Sequence, residues 1–282
     1  KLEEMLKSKK QEIGEFLIES VGCSIPTKPD SDSRSGGNMQ HLVAAKLRDI
    51  GLMPQAWIPP VNSIREKYKT MGYDLNYENR PNVTAVWNGS GNGKSIVLNC
   101  HADVGSVGQL HEWSGDPFIG RIVGDRVFGR GTCDAKGPLT SVLFALETLR
   151  DCGFVPEGDI HFQSVADQIG GGNGTLACIE AGYIGDAVIV AQPTAMQVCS
   201  GSRGLSFLTI RVRGQGAHAG FPKDGVNAVT KAIKYVNALQ SLEAELDKRY
   251  SHPLWKSVKV KHPMTVTGIS GGRFGGVVPD EE

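Results

Sequence analysis

The stretch Ser95-Ile-Val-Leu-Asn-Cys-His-Ala-Asp103 decides the fold of this chain, because a short apolar run leads directly into a histidine and an aspartate. A continuous apolar run of this length is typical of a buried strand. His101 then lies at the carboxyl end of the strand, where open α/β sheets bind their ligands. Asp103, two residues later, can orient the imidazole as carboxylates do in many metal sites. We therefore predict an α/β sheet with a functional site at this strand end.

A second acidic residue, Asp134, follows 31 residues after Asp103, within Gly-Arg-Gly-Thr-Cys-Asp-Ala-Lys-Gly (129–137). Its carboxylate would supply an oxygen ligand close to the imidazole. The spacing alone leaves another interpretation open, in which a strand-end histidine and two loop acids share no site.

The composition excludes several classes of function. The 30 basic and 30 acidic side chains cancel, so the sequence indicates no surface for nucleic acid or an anionic membrane. No apolar run approaches the length of a bilayer span, and no signal peptide is recognisable, so we expect a cytoplasmic protein. The 6 cysteines are scattered and lack CxxC spacing, which favours buried free thiols.

Apolar periodicity predicts strands that alternate with helices in the first 200 residues. The predicted strands are 55–58, 82–87, 95–100, 159–165 and 187–191, and the predicted helices are 1–21, 38–51, 138–152 and 174–181. A polar excursion covers 60–80. This alternation predicts an α/β fold with a mostly parallel sheet and helices on both faces.

The pattern changes near residue 201 to a strand at 205–213, a long amphipathic helix at 225–247 and a strand at 264–269. We therefore predict two domains, 1–200 and 201–282, of which the second is partial and α+β.

The block from Asn99 to Gly137 resembles the M20 family of zinc-dependent peptidases and amidohydrolases, which includes acetylornithine deacetylase, succinyl-diaminopimelate desuccinylase and carboxypeptidase G. Five further landmarks follow in the family's order: Gly171-Gly-Asn-Gly-Thr175, Gln192-Pro-Thr194, Gly216-Ala-His-Ala219, Gly225-Val-Asn-Ala228 and Val278-Pro-Asp280. Landmarks in register over roughly two hundred residues are far more specific than a lone motif. The resemblance implies a zinc-peptidase-like domain, followed by a lid or dimerisation domain.

The resemblance also implies a chemistry, the hydrolysis of the C–N bond of a small peptide or N-acyl amino acid with two zinc ions that activate a shared water. His101 matches a ligand of one zinc ion, Asp103 the acid that orients this imidazole, and Asp134 the carboxylate that bridges both ions. The peptide bond that follows the bridging aspartate is expected to be cis.

The chain departs from the family where relatives carry two adjacent glutamates, a general base and a metal ligand. If one extra glycine is allowed before Asn173, Asp167 takes the base position and Gln168 the ligand position. Without that allowance the pair becomes Gln168 and Ile169, and no base is present. We favour the first register, in which the shorter Asp falls about an ångström short of the water, enough to cost on the order of 100-fold in rate.

A second departure is Gln192, which stands where relatives carry a glutamate that binds the second zinc ion. Relatives also continue beyond Val278-Pro-Asp280 with further sheet strands and a final metal-binding histidine. We therefore expect weak or absent zinc binding, an exposed sheet edge and uncovered apolar surface.

Two residues of the predicted lid match functional positions of the family. His218 matches the histidine that reaches the active site across a dimer interface, and Asn227 matches a substrate contact. A packing role for Asn227 at the start of a helix stays open. Self-association as a homodimer is expected to run through this lid.

Three functions remain open. The first is an amide hydrolase, impaired in this chain, and the second is a non-catalytic relative that keeps the scaffold and its self-association. The third, a nucleotide binder suggested by the glycine run 170–174, is disfavoured because the run has no Walker lysine and does not fit a dinucleotide fingerprint.

Overall fold

The computed structural model describes residues 2–26, 37–69, 77–272 and 275–280. The chain divides into two compact units, Lys1–Val198 and Cys199–Glu282. The first unit is built on a sheet, and the second on one long helix.

Nine strands lie within the described residues: β1 (Ile25–Pro26), β2 (Gln55–Trp57), β3 (Asn82–Trp87), β4 (Ile96–His101), β5 (Asp103–Val104), β6 (Arg121–Val123), β7 (Arg126–Phe128), β8 (Ile160–Val165) and β9 (Ala187–Val190). Five of them form the central sheet in the order β2-β3-β8-β4-β9. Strand β4 runs parallel to β8 and β9, whereas β3 runs antiparallel to both β8 and β2. All strands of this sheet except β3 therefore share one direction, which confirms the predicted mostly parallel sheet.

Seven α-helices accompany the strands in the described ranges: α1 (Leu2–Ser8), α2 (Lys10–Gly22), α3 (Gly37–Asp49), α4 (Val61–Tyr68), α5 (Gly137–Asp151), α6 (Asn173–Glu180) and α7 (Ala228–Arg249). One face of the sheet packs against α2, α3 and α5 in the apolar core. On the other face the Asn82 side chain of β3 donates to the carbonyl of Gly174 in α6, at 2.8 Å. Helices thus cover both faces, as predicted.

The core forms where the apolar sides of the helices pack against one face of the sheet. Helix α3 places Met39, Val43 and Leu47 four residues apart on one side, and all three are fully buried. From α5, Phe144 packs edge-on against Phe16 of α2, with ring centroids 5.8 Å apart. These contacts hold α5, and the turn that precedes it, against the sheet.

The predicted strands of the sheet and the helices at 38–51, 138–152 and 174–181 are confirmed to within three residues at each end. The predicted helix 1–21 is divided at Lys9 into α1 and α2. Among the strands and α-helices of this unit, three features were not predicted: the β1–β5 pair, the β6–β7 hairpin and helix α4 inside the polar excursion. Residues 70–76 of that excursion lie outside the described residues.

The second unit consists of α7 and extended segments joined by two isolated bridges, Gln215 with Val226 and His218 with Val277. The predicted strands at 205–213 and 264–269 are wrong, because the described residues of this unit provide no paired strand there. Apolar and polar residues alternate in this segment, which predicts that the apolar side chains are buried on one face. Leu205 and Leu208 are instead 79% and 81% exposed.

Strand β9 forms one edge of the central sheet, and all four of its residues are exposed. Val188, Ile189 and Val190 therefore present apolar side chains to solvent. This confirms the expectation of an exposed edge with uncovered apolar surface.

Among the described helices, none combines the length and the apolar content that a bilayer crossing requires.

The packing of Phe144 predicts a large effect on stability. The Phe144→Ala change should lower the free energy of unfolding by about 3–5 kcal/mol, because it opens a cavity beneath α2. Urea denaturation followed by circular dichroism measures this. The matched control is Phe154→Ala, since Phe154 is 46% exposed and Phe144 only 1%. Equal effects of the two changes would show that the core does not depend on this ring.

Candidate functional site at the carboxyl edge of the sheet

The site forms where two parallel neighbours of the sheet end. In the register of β4 and β8, His101 lies beside Val165, so the residues after both strands meet at one edge. The turn at Thr132–Lys136, which leads into α5, reaches the same edge. Polar side chains from three separate parts of the chain are thereby brought together.

His101 lies between two aspartates and is 2% exposed. Its Nε2 is 3.0 Å from Asp134 Oδ1. Its Nδ1 is 3.0 Å from the backbone carbonyl oxygen of Asp103 and 3.3 Å from Asp103 Oδ1. Burial alone lowers the pKa of His101, but the two carboxylates outweigh it, and the net shift of the pKa is upward.

Asp103 is also buried, and its carboxylate accepts two backbone hydrogen bonds. The N–H groups of Gln168 and Ile169 donate to its two oxygens at 3.1 and 3.0 Å. A buried carboxylate is stable only when such donors replace its water. The structure thus couples the imidazole of His101, through Asp103, to the turn after β8.

Asp134 contributes the exposed side of the site. Its side chain is 55% exposed, and the Asp134–Ala135 peptide bond is cis, which confirms the prediction. Two residues further on, the ammonium group of Lys136 is buried and donates to the carbonyl oxygen of Ser20 at 2.6 Å.

Asp167 is fully buried and has a left-handed backbone, with φ of 63°. Its Oδ2 accepts hydrogen bonds from the Tyr77 hydroxyl at 2.5 Å and from the Asn173 amide at 2.7 Å. Burial raises the pKa of Asp167, and the nearby Asp103 carboxylate adds to the rise, while the two hydrogen bonds oppose it. Sequence reasoning missed Tyr77 altogether and noted Asn173 only as part of a landmark.

The two glutamines lie on either side of the His101 strand. Gln168 follows β8, and its Oε1 is 3.5 Å from the hydroxyl of Thr175. Gln192 follows β9, where the preceding Ala191 N–H donates to the Asn99 carbonyl oxygen at 2.9 Å. Gln192 is therefore held one strand away from His101.

His101 and Asp134 are the two candidate metal ligands that the structure brings together. His101 Nε2 and Asp134 Oδ1 are 3.0 Å apart, close to the separation of about 3.3 Å between two ligands of a tetrahedral zinc ion. Within the described residues, however, no three His, Cys, Asp or Glu side chains converge on a common metal position. The site can offer a single ion two strong ligands, whereas catalytic zinc normally has three from the protein.

The predicted lid residues lie in the second unit. His218 is exposed, and its Nδ1 accepts the N–H of Gly220 at 3.0 Å. Asn227 is the N-cap of α7, and its side-chain oxygen accepts the N–H of Thr230 at 2.9 Å. This contact is the packing role that the sequence left open for Asn227.

Comparison with protein families gives a match to peptidase family M20/M25/M40 over residues 97–264. The N-formyl-4-amino-5-aminomethyl-2-methylpyrimidine deformylase of Halalkalibacterium halodurans is 33% identical over 73% of this chain and 50% of its own length. Its Bacillus subtilis counterpart is 27% identical over 99% of this chain and 63% of its own. The succinyl-diaminopimelate desuccinylase of Dechloromonas aromatica is 29% identical over 73% and 58%. The chain thus spans 50–63% of the length of these relatives.

Solved structures with the same fold include the dipeptidase Dug1p from Saccharomyces cerevisiae. It has a TM-score of 0.62 and 15% identity, and the match covers 99% of this chain and 69% of that one. The M20 family metallo-carboxypeptidase Sso-CP2 from Sulfolobus solfataricus has a TM-score of 0.58 and 19% identity, with 96% and 69% covered. These structures agree with the predicted α/β architecture.

The cap at α7 predicts the outcome of substitutions at Asn227. Asn227→Ala should lower the stability of the helix by about 1 kcal/mol, while Asn227→Asp should preserve it, because aspartate is an equally good N-cap. Thermal denaturation followed at the helical circular dichroism band measures both variants. If Asn227→Ala melts like the unmodified chain, the cap does not stabilise α7.

Proposed function

The chain belongs to peptidase family M20/M25/M40, and on that premise we propose that it has the architecture of an amide hydrolase whose metal site is weakened. Its substrate class would be a small peptide or an N-acyl amino acid, and it would hydrolyse such amides poorly or not at all. The observation that carries the proposal is the arrangement of Asp103, His101 and Asp134 at the carboxyl edge of the sheet. The names of the relatives, a deformylase and a desuccinylase, describe removal of an acyl group and support an amide substrate.

In this proposal His101 and Asp134 hold zinc, and Asp103 orients the imidazole. The ion, when bound, supplies Lewis-acid activation of water and of the scissile carbonyl. Asp167 is the candidate base, because a buried carboxylate with a raised pKa accepts a proton more readily near neutral pH. Its burial beside Asp103 supports the register in which Asp167 and Gln168 replace the two glutamates.

The proposed weakness has an electrostatic origin. Gln168 and Gln192 keep nearly the shape of glutamate, but each offers a neutral carbonyl oxygen where the family has a carboxylate. A pair of zinc ions brings about four positive charges into the cleft. With two fewer carboxylates, the positive charge of two zinc ions is poorly compensated. The affinity for the second ion should therefore fall more than the affinity for the first.

Zinc binding tests the proposal directly. The unmodified chain should bind zinc weakly, whereas Gln168→Glu with Gln192→Glu should raise the affinity by at least about 100-fold, because each change restores a charged ligand. Isothermal titration calorimetry gives the affinity, and elemental analysis gives the stoichiometry. Turnover of N-formyl, N-succinyl and dipeptide substrates is measured in parallel.

The control for charge alone is Gln197→Glu, which adds the same carboxylate at an exposed position. It should leave zinc affinity unchanged. Stoichiometric zinc in the unmodified chain, together with turnover that a chelator abolishes, would contradict the proposed weakness.

A second candidate function, a scaffold that self-associates through the second unit, is favoured by the apolar side chains exposed there. Leu205 and Leu208 are more than three-quarters exposed, and Phe207 and Ile210 are 45% exposed. Exposed apolar surface of this kind marks an interaction site in many soluble proteins. A homodimer through 201–282 would cover it.

Light scattering with surface variants checks this second candidate. Leu205→Asp with Leu208→Asp should convert any dimer to monomer, since a carboxylate cannot be buried unpaired in an apolar interface. The control is Met53→Asp, which changes an apolar residue that is 84% exposed in the first unit. A dimer that survives the double change would place the interface elsewhere.

A further inference from the structure

We propose that Tyr77 is a positioning residue, which locks the carboxylate of Asp167 and, through the turn that carries it, holds Asp103 against His101. This inference rests on the proposed function, in which Asp167 is the base and His101 a metal ligand. Tyr77 comes from the polar excursion at 60–80, a segment to which the sequence assigned no functional role.

The first step is the asymmetry of the Asp167 carboxylate. The Tyr77 hydroxyl and the Asn173 amide both donate to Oδ2, at 2.5 and 2.7 Å. The other oxygen, Oδ1, is buried and has no hydrogen-bond partner among the described residues. Rotation of the carboxylate would break two hydrogen bonds at once, so the two donors fix its orientation and leave Oδ1 as the oxygen without a donor.

The second step is the backbone of Asp167. Its φ of 63° lies in the left-handed region, which a residue other than glycine adopts only when its surroundings hold it there. The Gly172 N–H donates to the carbonyl oxygen of Asp167 at 2.8 Å and closes the turn. The side-chain hydrogen bonds of Asp167 and this backbone contact therefore stabilise the same conformation.

The third step connects this conformation to the imidazole. The left-handed residue directs the next two N–H groups, of Gln168 and Ile169, toward one side, where both donate to Asp103. Successive N–H groups of this kind form a concave anion-binding site, here occupied by a carboxylate. Asp103 in turn lies 3.3 Å from Nδ1 of His101. A continuous series of contacts thus runs from Tyr77 to His101.

The test uses cobalt(II) in place of zinc, because its absorption spectrum reports the ligand geometry. In the chain with Gln168→Glu and Gln192→Glu, adding Tyr77→Phe should weaken cobalt binding by about tenfold, the lower end of the range for residues that orient a ligand. The spectrum at saturating cobalt should also change, and where turnover is measurable kcat should fall while KM stays constant.

The matched control is Tyr68→Phe, which removes a hydroxyl on the same excursion that contacts Glu180 at the surface. It should leave the cobalt affinity and the spectrum unchanged. Asn173→Ala removes the second donor to the same carboxylate oxygen. It should likewise weaken cobalt binding and change the spectrum, and it tests the same contact if Tyr77→Phe does not fold.

The outcomes separate this inference from the proposed function. If Tyr77→Phe only lowers the melting temperature and leaves the cobalt spectrum and affinity unchanged, Tyr77 is merely structural and the inference is overturned. If cobalt binds but no variant hydrolyses any substrate, the proposed function fails while the cobalt comparison still decides the role of Tyr77. If no variant binds cobalt, Tyr77 has no ligand to position, and the inference is overturned as well.

Discussion

The burial of the Asp103 carboxylate is the constraint on which the rest of the site depends. A carboxylate taken out of water must find donors within the protein. Here two backbone N–H groups donate to the carboxylate on one side, and the His101 imidazole lies 3.3 Å from it on the other. Because these groups come from β4 and from the turn after β8, the two strands must end at the same level of the sheet. The parallel pairing of β4 with β8, which brings His101 beside Val165, satisfies that requirement.

The sequence predicted most of the first unit because its strands are short segments rich in apolar residues that end at turn residues. Strand β3 is an example: four of its six residues are apolar, and almost all of it is buried. The second unit was predicted less well. The alternation near Leu205 is typical of a strand, but a strand also needs a partner to accept its hydrogen bonds, and local sequence does not specify one. Helix α4 was missed because its amphipathic pattern covers only 8 residues.

The site was predictable to the extent that its residues follow strands. His101 and Asp103 end one apolar run, and Asp134 lies in a landmark turn, so their proximity followed from the topology. The contact of Tyr77 with Asp167 joins residues 90 positions apart. Tyr77 carries no motif and lies in a polar segment, so no local signal identified it. The left-handed φ of Asp167 also could not be predicted, because only a few per cent of residues other than glycine adopt it.

Glutamine at positions 168 and 192 should affect the proposed metal site more than the stability of the fold. An amide has almost the volume and hydrogen-bonding reach of a carboxylate, so replacing one by the other leaves the packing of a strand end intact. The core that holds the sheet together, around Phe16, Phe144 and the buried face of α3, consists of apolar side chains and contains neither glutamine. Under the proposed function, glutamine at these two positions would therefore lower the affinity for metal while the packing of the strand ends stays the same.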